Sequence, residues 1–414
     1  MPAKSARSEW KSHWTLPVAA GLGYATSVIH IYGLGVYIEP ISESFGWSRS
    51  VTTFGLTIAT LIQALFGIPI GMLVDRIGPR PLGVIGVALT CGAFALLGTA
   101  SGSEWQWYGL WAVMALATLP VQATIWTAAV ASRFQASRGL AFAITLCGAS
   151  VAAALFPWLG ARLIGAFGWQ TAMAYQALIW LAIALPVIIL FFRGANDVPK
   201  SQRAQIAAAP APGQPEGLSF GEGLKSSIYA RLMLASLLFT FTILALVVHF
   251  VPILTGFGLN TASAAGLAGL IGLFSIAGRL GTGFLLDRFN AARVGAAVFL
   301  LPIAASLMLI LLGPDGAIPA AIMVGLTLGA EIDVIVYLAT RHFGLKAFGA
   351  LYGGLLVALS VGTATGPLAA SAIFDRYGAY EPFLWATVGM MVVSSLFLLS
   401  LPRPQFGNLK SSET

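Results

Sequence analysis

Twelve apolar stretches run through this 414-residue chain, each close to the roughly 20 residues that a helix needs to cross a bilayer. They cover 16–38, 51–74, 82–100, 106–130, 140–165 and 169–192 in the first half. In the second half they cover 229–253, 263–286, 294–312, 317–340, 349–373 and 381–401. Only 9% of residues are charged, 58% are hydrophobic and the mean hydropathy is +0.87. A soluble domain carries about 25% charged residues. The expected fold is an all-α membrane protein with twelve transmembrane helices.

The net charge of +7 reads as topology, with no nucleic acid as partner. Lysine and arginine collect in the cytoplasmic loops of membrane proteins. With the N-terminus inside, Lys4, Arg7 and Lys11 open the inner series, and Arg341, Lys346, Arg403 and Lys410 close it. Arg49, Arg162 and Arg376 fall outside, and Arg279 falls within a span. Both termini are therefore expected in the cytoplasm. Cys91 and Cys147 lie inside spans and read as small apolar helix residues, so no disulfide, metal or cofactor is expected. The Gly-x4-Gly-Lys-Ser/Thr loop of nucleotide binders does not occur. With no residue set suited to covalent chemistry, the chain does not read as an enzyme. The first apolar run is too long for the core of a signal peptide.

Residues 196–217 have the composition of a linker. They divide the chain into an N-terminal six-helix bundle at 1–192, a cytoplasmic linker at 193–227 and a C-terminal six-helix bundle at 228–414. The halves echo each other. Gly71-x3-Asp75-Arg76 ends the second run, and Gly283-x3-Asp287-Arg288 ends the eighth, 212 positions later. Arg133 and Arg138 follow the fourth run as Arg341 and Lys346 follow the tenth, both 208 later. Phe167-Gly168 precedes the sixth run as Tyr377-Gly378 precedes the twelfth, 210 later. Matches at nearly constant offset, each between equivalent helices, indicate a duplication and two pseudo-symmetric six-helix bundles. Parallel repeats of this kind occur in one large transporter architecture.

A carboxylate and a guanidinium at an inner helix end can pair across the halves and with helix termini. Asp75, Arg76, Arg80, Asp287 and Arg288 are therefore the expected inner gate. The alternative is a basic turn with a stray acid.

Charge inside a span costs about 2.5–3.5 kcal/mol per residue on insertion scales, so it marks a cavity or a partner. Arg279 is the first such residue, and it makes an anion the expected substrate. Glu331 and Asp333, well inside the tenth run, are two more. Two residues apart on a helix, they point to nearly opposite faces. Arg279 stands eight residues before Asp287, and Asp333 eight before Arg341. At 1.5 Å per residue both lie about 12 Å from the inner boundary, which puts them within reach of each other. Asp333, Tyr337 and Arg341 share one face by their spacing of four. One of the two acids is expected to carry a coupled proton, the alternative being a static ion pair; the sequence does not choose between them.

His30 in the first run could bind a carboxylate or a proton, or pack against a carbonyl. Ser275, Gln122, Tyr337 and Tyr352 are further candidates to line a cavity, although each alone is more often an interhelical hydrogen-bond group. His249 is expected at the interface. Gly349 with Gly353, and Gly362 with Gly366, have the spacing of small-residue helix contacts. Trp10, Trp14, Trp105 and Trp107 are expected as interfacial anchors.

The stretch Gly71-Met-Leu-Val-Asp75-Arg76-Ile-Gly78-Pro-Arg80 resembles the loop 2–3 signature of the major facilitator superfamily, and the resemblance covers essentially the whole chain. Within it, three stretches look like the monocarboxylate transporter group and its bacterial relatives. They are Tyr37-Ile-Glu-Pro-Ile with Phe45-Gly-Trp-Ser-Arg-Ser, Arg138-Gly-Leu-Ala141 followed by Phe167-Gly-Trp169, and Arg279-Leu-Gly-Thr-Gly283. The resemblance implies that the arginine contacts a substrate carboxylate and that transport is proton-linked. Relatives often place a polar or acidic residue four positions before that arginine; here it is Ser275. Related oxalate–formate exchangers add a lysine in the eleventh helix, which this chain lacks, so a monoanion is favoured over a dianion. The expectation is a monomeric secondary transporter of a small organic monocarboxylate in a bacterial inner membrane, working by alternating access. A drug–proton antiporter and a transport-incompetent sensor on the same fold are the alternatives.

Overall fold

The computed structural model describes residues 6–134, 136–194, 217–344, 346–402, 404 and 406, and at 67, 68, 71, 75 and 287 the backbone alone. Most of the linker expected at 193–227 thus lies outside the described residues. The first half folds as α1 (Ala6–His13), α2 (Thr15–Ser27), α3 (Ile29–Tyr32), α4 (Ile38–Phe45), α5 (Arg49–Ile77), α6 (Pro79–Leu97), α7 (Glu104–Thr118), α8 (Ala123–Ala131) and α9 (Arg138–Phe191). The second folds as α10 (Phe220–Lys225), α11 (Ser227–Gly256), α12 (Thr261–Arg288), α13 (Ala291–Leu312), α14 (Ala317–Phe343), α15 (Phe348–Tyr377) and α16 (Glu381–Leu399).

Nine stretches among the described residues are long and apolar enough to cross a membrane. Two of them, Arg138–Phe191 and Ala291–Phe343, hold 54 and 53 residues. At 1.5 Å per residue each is far longer than the roughly 30 Å hydrocarbon core, so each crosses twice. Within α9 the reversal falls at Gly168, where φ is 76° and ψ 162°, a conformation open to glycine and strained for other residues. The first apolar run supplies the twelfth crossing in pieces, none of which reaches full length alone. The protein is an all-helical, twelve-span molecule.

Two spans expected to be continuous are interrupted. The first run breaks at Val28 (φ −114°, ψ 10°) and passes through a 3-10 turn at Leu34–Val36. Thr26 Oγ1 and Ser27 Oγ donate back to the carbonyls of Leu22 and Tyr24 at 3.0 and 2.7 Å, a local competition that bends helices. Trp180 Nε1 holds Thr26 Oγ1 in place at 2.8 Å. The fourth run breaks into a 3-10 turn at Leu119–Val121. Pro120 there has no N–H to give the helix.

The helices gather into two compact units. One takes the described residues up to Gly194, with Phe250–Thr255 and Asn260–Leu273; the other takes Gly217 to His249, Gly256–Leu259 and the chain from Phe274 onward. In the first unit a Cβ on Gly148 would collide with the Gly21 carbonyl, so α2 and α9 cross with their backbones in contact. In the second, Gly362 and Gly366 of α15 lie against the backbone of α11 around Phe241, whereas Gly349 and Gly353 face open space. Only the second of the two expected glycine pairs is a helix contact.

The tryptophans divide as well. Trp105 is 85% exposed and Trp14 57%, as anchors would be, but Trp107 is fully buried. Its Nε1 donates to the Thr52 carbonyl at 3.1 Å, and its ring lies 5.8 Å from that of Trp111. An indole bonded in this way can be buried at little cost.

Each unit also carries a short helix ahead of its first span. Glu9 of α1 is buried, and its carboxylate accepts from Ala136 N, Ser137 N and Ser137 Oγ at 3.0–3.2 Å. It caps the start of α9, where unpaired N–H groups and the helix dipole favour an anion. In the second unit α10 opens with a capping box between Ser219 and Glu222. Just before it, Leu218 N donates to Phe343 O at the end of α14 at 2.9 Å. The serine hydroxyl and backbone N–H hold the exposed Glu222 carboxyl below the usual carboxylate range, with Lys346 adding to the effect.

Candidate functional site

Arg279 of α12 and Asp333 of α14 meet in the second unit, where the two helices cross. Gly278 of α12 lies against the backbone at Leu326, and Gly329 of α14 lies against the Ser275 carbonyl and the Arg279 nitrogen. A Cβ at either glycine would collide with backbone. Small residues are what allow such an approach in lipid, where packing and hydrogen bonds drive association. The crossing leaves Arg279 facing the next turn of α14, which carries Asp333.

Arg279 Nη1 lies 3.5 Å from both Oδ1 and Oδ2 of Asp333. The pair is partly sheltered, with side chains 10% and 31% exposed. The contact is long compared with the 2.7–2.9 Å of tight charge-assisted bonds. One nitrogen straddles the carboxylate where a bidentate fork would use two. Arg279 Nε is buried and has no hydrogen-bond partner among the described residues. A guanidinium has five N–H donors, so this one keeps capacity for a second anion. A buried donor without a partner calls for an explanation.

The two acids of α14 separate as their spacing requires. Asp333 faces Arg279. Glu331, 7% exposed, turns to α11 and accepts from Thr240 Oγ1 at 2.6 Å. Further along the Asp333 face, Arg341 Nη2 donates to Tyr337 OH at 2.8 Å, and the guanidinium lies 5.0 Å over the Tyr337 ring. Tyr337 is therefore engaged by Arg341. Ser275 is buried one turn before Arg279, its carbonyl pressed against Gly329. Tyr352 stacks on Phe348, ring centroids 5.4 Å apart.

His30 and Gln122 lie in the first unit. His30 is buried, its Nε2 is 3.4 Å from Gln63 Nε2, and its Nδ1 has no partner among the described residues. Gln63 in turn donates to Thr118 Oγ1 at 2.7 Å. Gln122 sits at the break between α7 and α8 and donates to the Thr118 carbonyl at 3.4 Å.

His249 departs from its expected interfacial place. It is fully buried in the second unit, with Nδ1 2.8 Å from Tyr380 OH and Nε2 2.9 Å from Pro367 O and 3.2 Å from Ser371 Oγ. The sequence shows only a histidine near a helix end; Tyr380, which satisfies it, is 131 residues away.

Of the expected gate, the side chains of Asp75 and Asp287 lie outside the described residues. Arg80 Nη2 donates to Ile189 O at 2.9 Å, near the end of α9. The Arg288 guanidinium lies 4.0 Å over the Phe284 ring, and Arg76 is exposed.

Comparison with known proteins agrees with this architecture. Two crystal structures of a bacterial homolog to the human lysosomal transporter Spinster share the fold. The inward-facing occupied form gives a TM-score of 0.64 at 18% identity, covering 96% of this chain and 95% of that one. The inward-facing unoccupied form gives 0.62 at 19%, covering 93% and 94%. In sequence, the MFS transporter asaE of Aspergillus flavus is 26% identical over 385 residues, 86% of this chain and 83% of that protein. An MFS-type transporter 1 of an Ophiocordyceps species is 22% identical over 376 residues, 89% and 80% of the two chains. The family model itself runs from residue 20 to residue 343, taking in the first ten spans and the α12–α14 crossing, and the chain is a member of the Major Facilitator Superfamily, a multi-pass membrane transporter.

Proposed function

We propose that this transporter carries a small organic monocarboxylate together with a proton. The supporting observation is the loose Arg279–Asp333 pair, an unsaturated guanidinium facing a carboxylate that a second carboxylate can replace. A substrate anion takes the fork of Arg279, and Asp333 loses its countercharge. An unpaired carboxylate in an apolar wall is costly, so Asp333 takes up a proton from the accessible side. Alternating access exposes the pair to the other side. Asp333 then gives up its proton, returns to Arg279 and displaces the substrate. One anion and one proton cross together, with no net charge moved.

The two relatives by sequence are fungal, which does not point to a bacterial inner membrane. The side assignment rests on the distribution of lysine and arginine and places both termini in the cytoplasm. The gate role of Asp75, Arg76, Arg80, Asp287 and Arg288 belongs to the same proposal. Ser275, Tyr337 and Tyr352 would flank the anion in the second unit; the reading does not depend on His30 or Gln122.

Thermal denaturation of the purified protein against acetate, pyruvate, lactate and benzoate, with lipophilic cations alongside, tests it. A ligand that binds the folded state raises the melting temperature by mass action. Stabilisation by an acid in wild type and not in Arg279→Ala is the expected result. Stabilisation by the cations alone would replace this reading with a drug–proton antiporter.

A further inference from the structure

Two acids on one helix raise a question of orientation. Residues two apart on an α-helix stand about 200° apart, so only one of Glu331 and Asp333 can face Arg279. A rotation of α14 about its axis would exchange them. Two contacts oppose that rotation. On one flank Gly329 seats the helix against the α12 backbone. On the other, Thr240 Oγ1 of α11 donates to Glu331 Oε1 at 2.6 Å, with both residues buried. Thr240 is itself fixed, because Gly362 of α15 brings its backbone to the Thr240 Cβ.

We infer that the Thr240–Glu331 hydrogen bond sets the rotation of α14 so that Asp333 is the acid exchanged between Arg279 and the proton. The inference rests on the carboxylate–proton reading above and assigns its two acids. Glu331 is then a positioning residue, and the proton that moves is at Asp333. A buried polar contact that fixes register is the best attested use of such groups. The contact needs an acceptor at 331 and a hydroxyl at 240 but no charge at 331. Glutamine therefore serves at 331, where alanine does not.

Arg279 of α12 is in contact with Asp333. The second unit's helices carry further charged and titratable groups. The helix of Asp333 carries Glu331, bound to Thr240, and Tyr337 and Arg341, bound to each other. His342 is buried at the end of the same helix. α15 brings Tyr352, stacked on Phe348, and Asp375 and Arg376 near its far end. α11 brings Tyr229, which donates to Leu351 O, Arg231, which donates to Ser400 O, and His249, held by Tyr380 and Pro367. α13 carries Arg293 in its first turn and no other charge, and α16 carries Glu381 at its start.

The test is the pH dependence of affinity for acetate, pyruvate, lactate and benzoate in wild type, Asp333→Asn, Glu331→Gln, Glu331→Ala, Thr240→Ser and Thr240→Val. If binding takes up one proton, affinity falls on the order of tenfold per pH unit where that uptake occurs. Wild type, Glu331→Gln and Thr240→Ser should keep the slope. Asp333→Asn and Glu331→Ala should lose most of it, while still binding the acid; in Thr240→Val, where the freed helix can bring Glu331 to Arg279, any slope that remains should disappear on adding Glu331→Gln. A full slope in Asp333→Asn or in Thr240→Val combined with Glu331→Gln, or loss of the slope in Glu331→Gln alone, would overturn the assignment and leave the carboxylate–proton reading standing. Failure of wild type to bind any of the four acids, or a flat wild-type profile, would sink that reading and this inference with it.

Discussion

Gly329 and Ser275 touch backbone to backbone, leaving no room for a methyl group between α14 and α12. The ion pair of Arg279 and Asp333 lies one turn further along the same crossing, so the closeness of the helices sets its geometry. Gly329→Ala should force the helices apart. Overpacking of this kind costs about 1–3 kcal/mol. Gly353→Ala, facing open space on α15, should be close to neutral. Melting temperatures of the two variants in detergent, with acid binding measured on each, check this. Equal behaviour would mean that the crossing yields easily.

Arg279→Lys retains the charge and loses the planar fork. A lysine ammonium is a point charge that cannot reproduce two-point carboxylate recognition. The expected outcome is severe loss of acid binding in Arg279→Lys and complete loss in Arg279→Ala, with both proteins still inserted in the membrane. Uptake of the best-bound acid by Arg279→Ala at near wild-type rate would remove the anion-binding role.

Asp333→Asn should separate exchange from accumulation. Counterflow of acid against acid needs no net proton movement and should survive. Uptake driven by an inward proton gradient should fail, and the proteoliposome lumen should no longer acidify. If a proton ionophore leaves wild-type accumulation unchanged, the coupling ion is something other than the proton.

Glu9→Ala removes the acceptor for two backbone N–H groups at the start of α9. Leaving a buried donor unpaired costs about 1–3 kcal/mol, so a lower melting temperature is expected. Glu9→Gln keeps one acceptor oxygen and should recover part of the loss. Identical melting of all three proteins would show that the capping contact carries no net stability.

The spans were legible because bilayer thickness imposes a length that any sequence must show. The Arg279–Asp333 pair was legible for a related reason. Both positions count eight residues from an inner boundary, and depth in a membrane translates directly into sequence distance. The split between Glu331 and Asp333 was not, because the helix period says that they diverge but not which of them meets α12. That choice belongs to Thr240, some ninety positions earlier. The break at Val28 gave no signal, since serine and threonine also sit inside unbroken spans. Trp107 was misplaced because an indole near a span end looks the same in sequence whether it meets lipid or the Thr52 carbonyl. Tyr380 and Glu9 went unnoticed because their partners lie more than a hundred residues away.

The tethers at the two short leading helices have a consequence for how the chain is made. Glu9 closes onto Ala136 across 127 positions, and Leu218 closes onto Phe343 across a nearly equal span. In each half the segment made first is secured only after the fourth helix of that half has emerged. Contacts of such long range form late, so each half should pass through a stage in which its leading helix is still loose. Ribosome-bound chains halted near residue 130 should expose residues 6–13 to added protease, and chains halted past the end of α9 should protect them. The same change should recur in the second half. Each half would then secure its leading helix through its own fourth span.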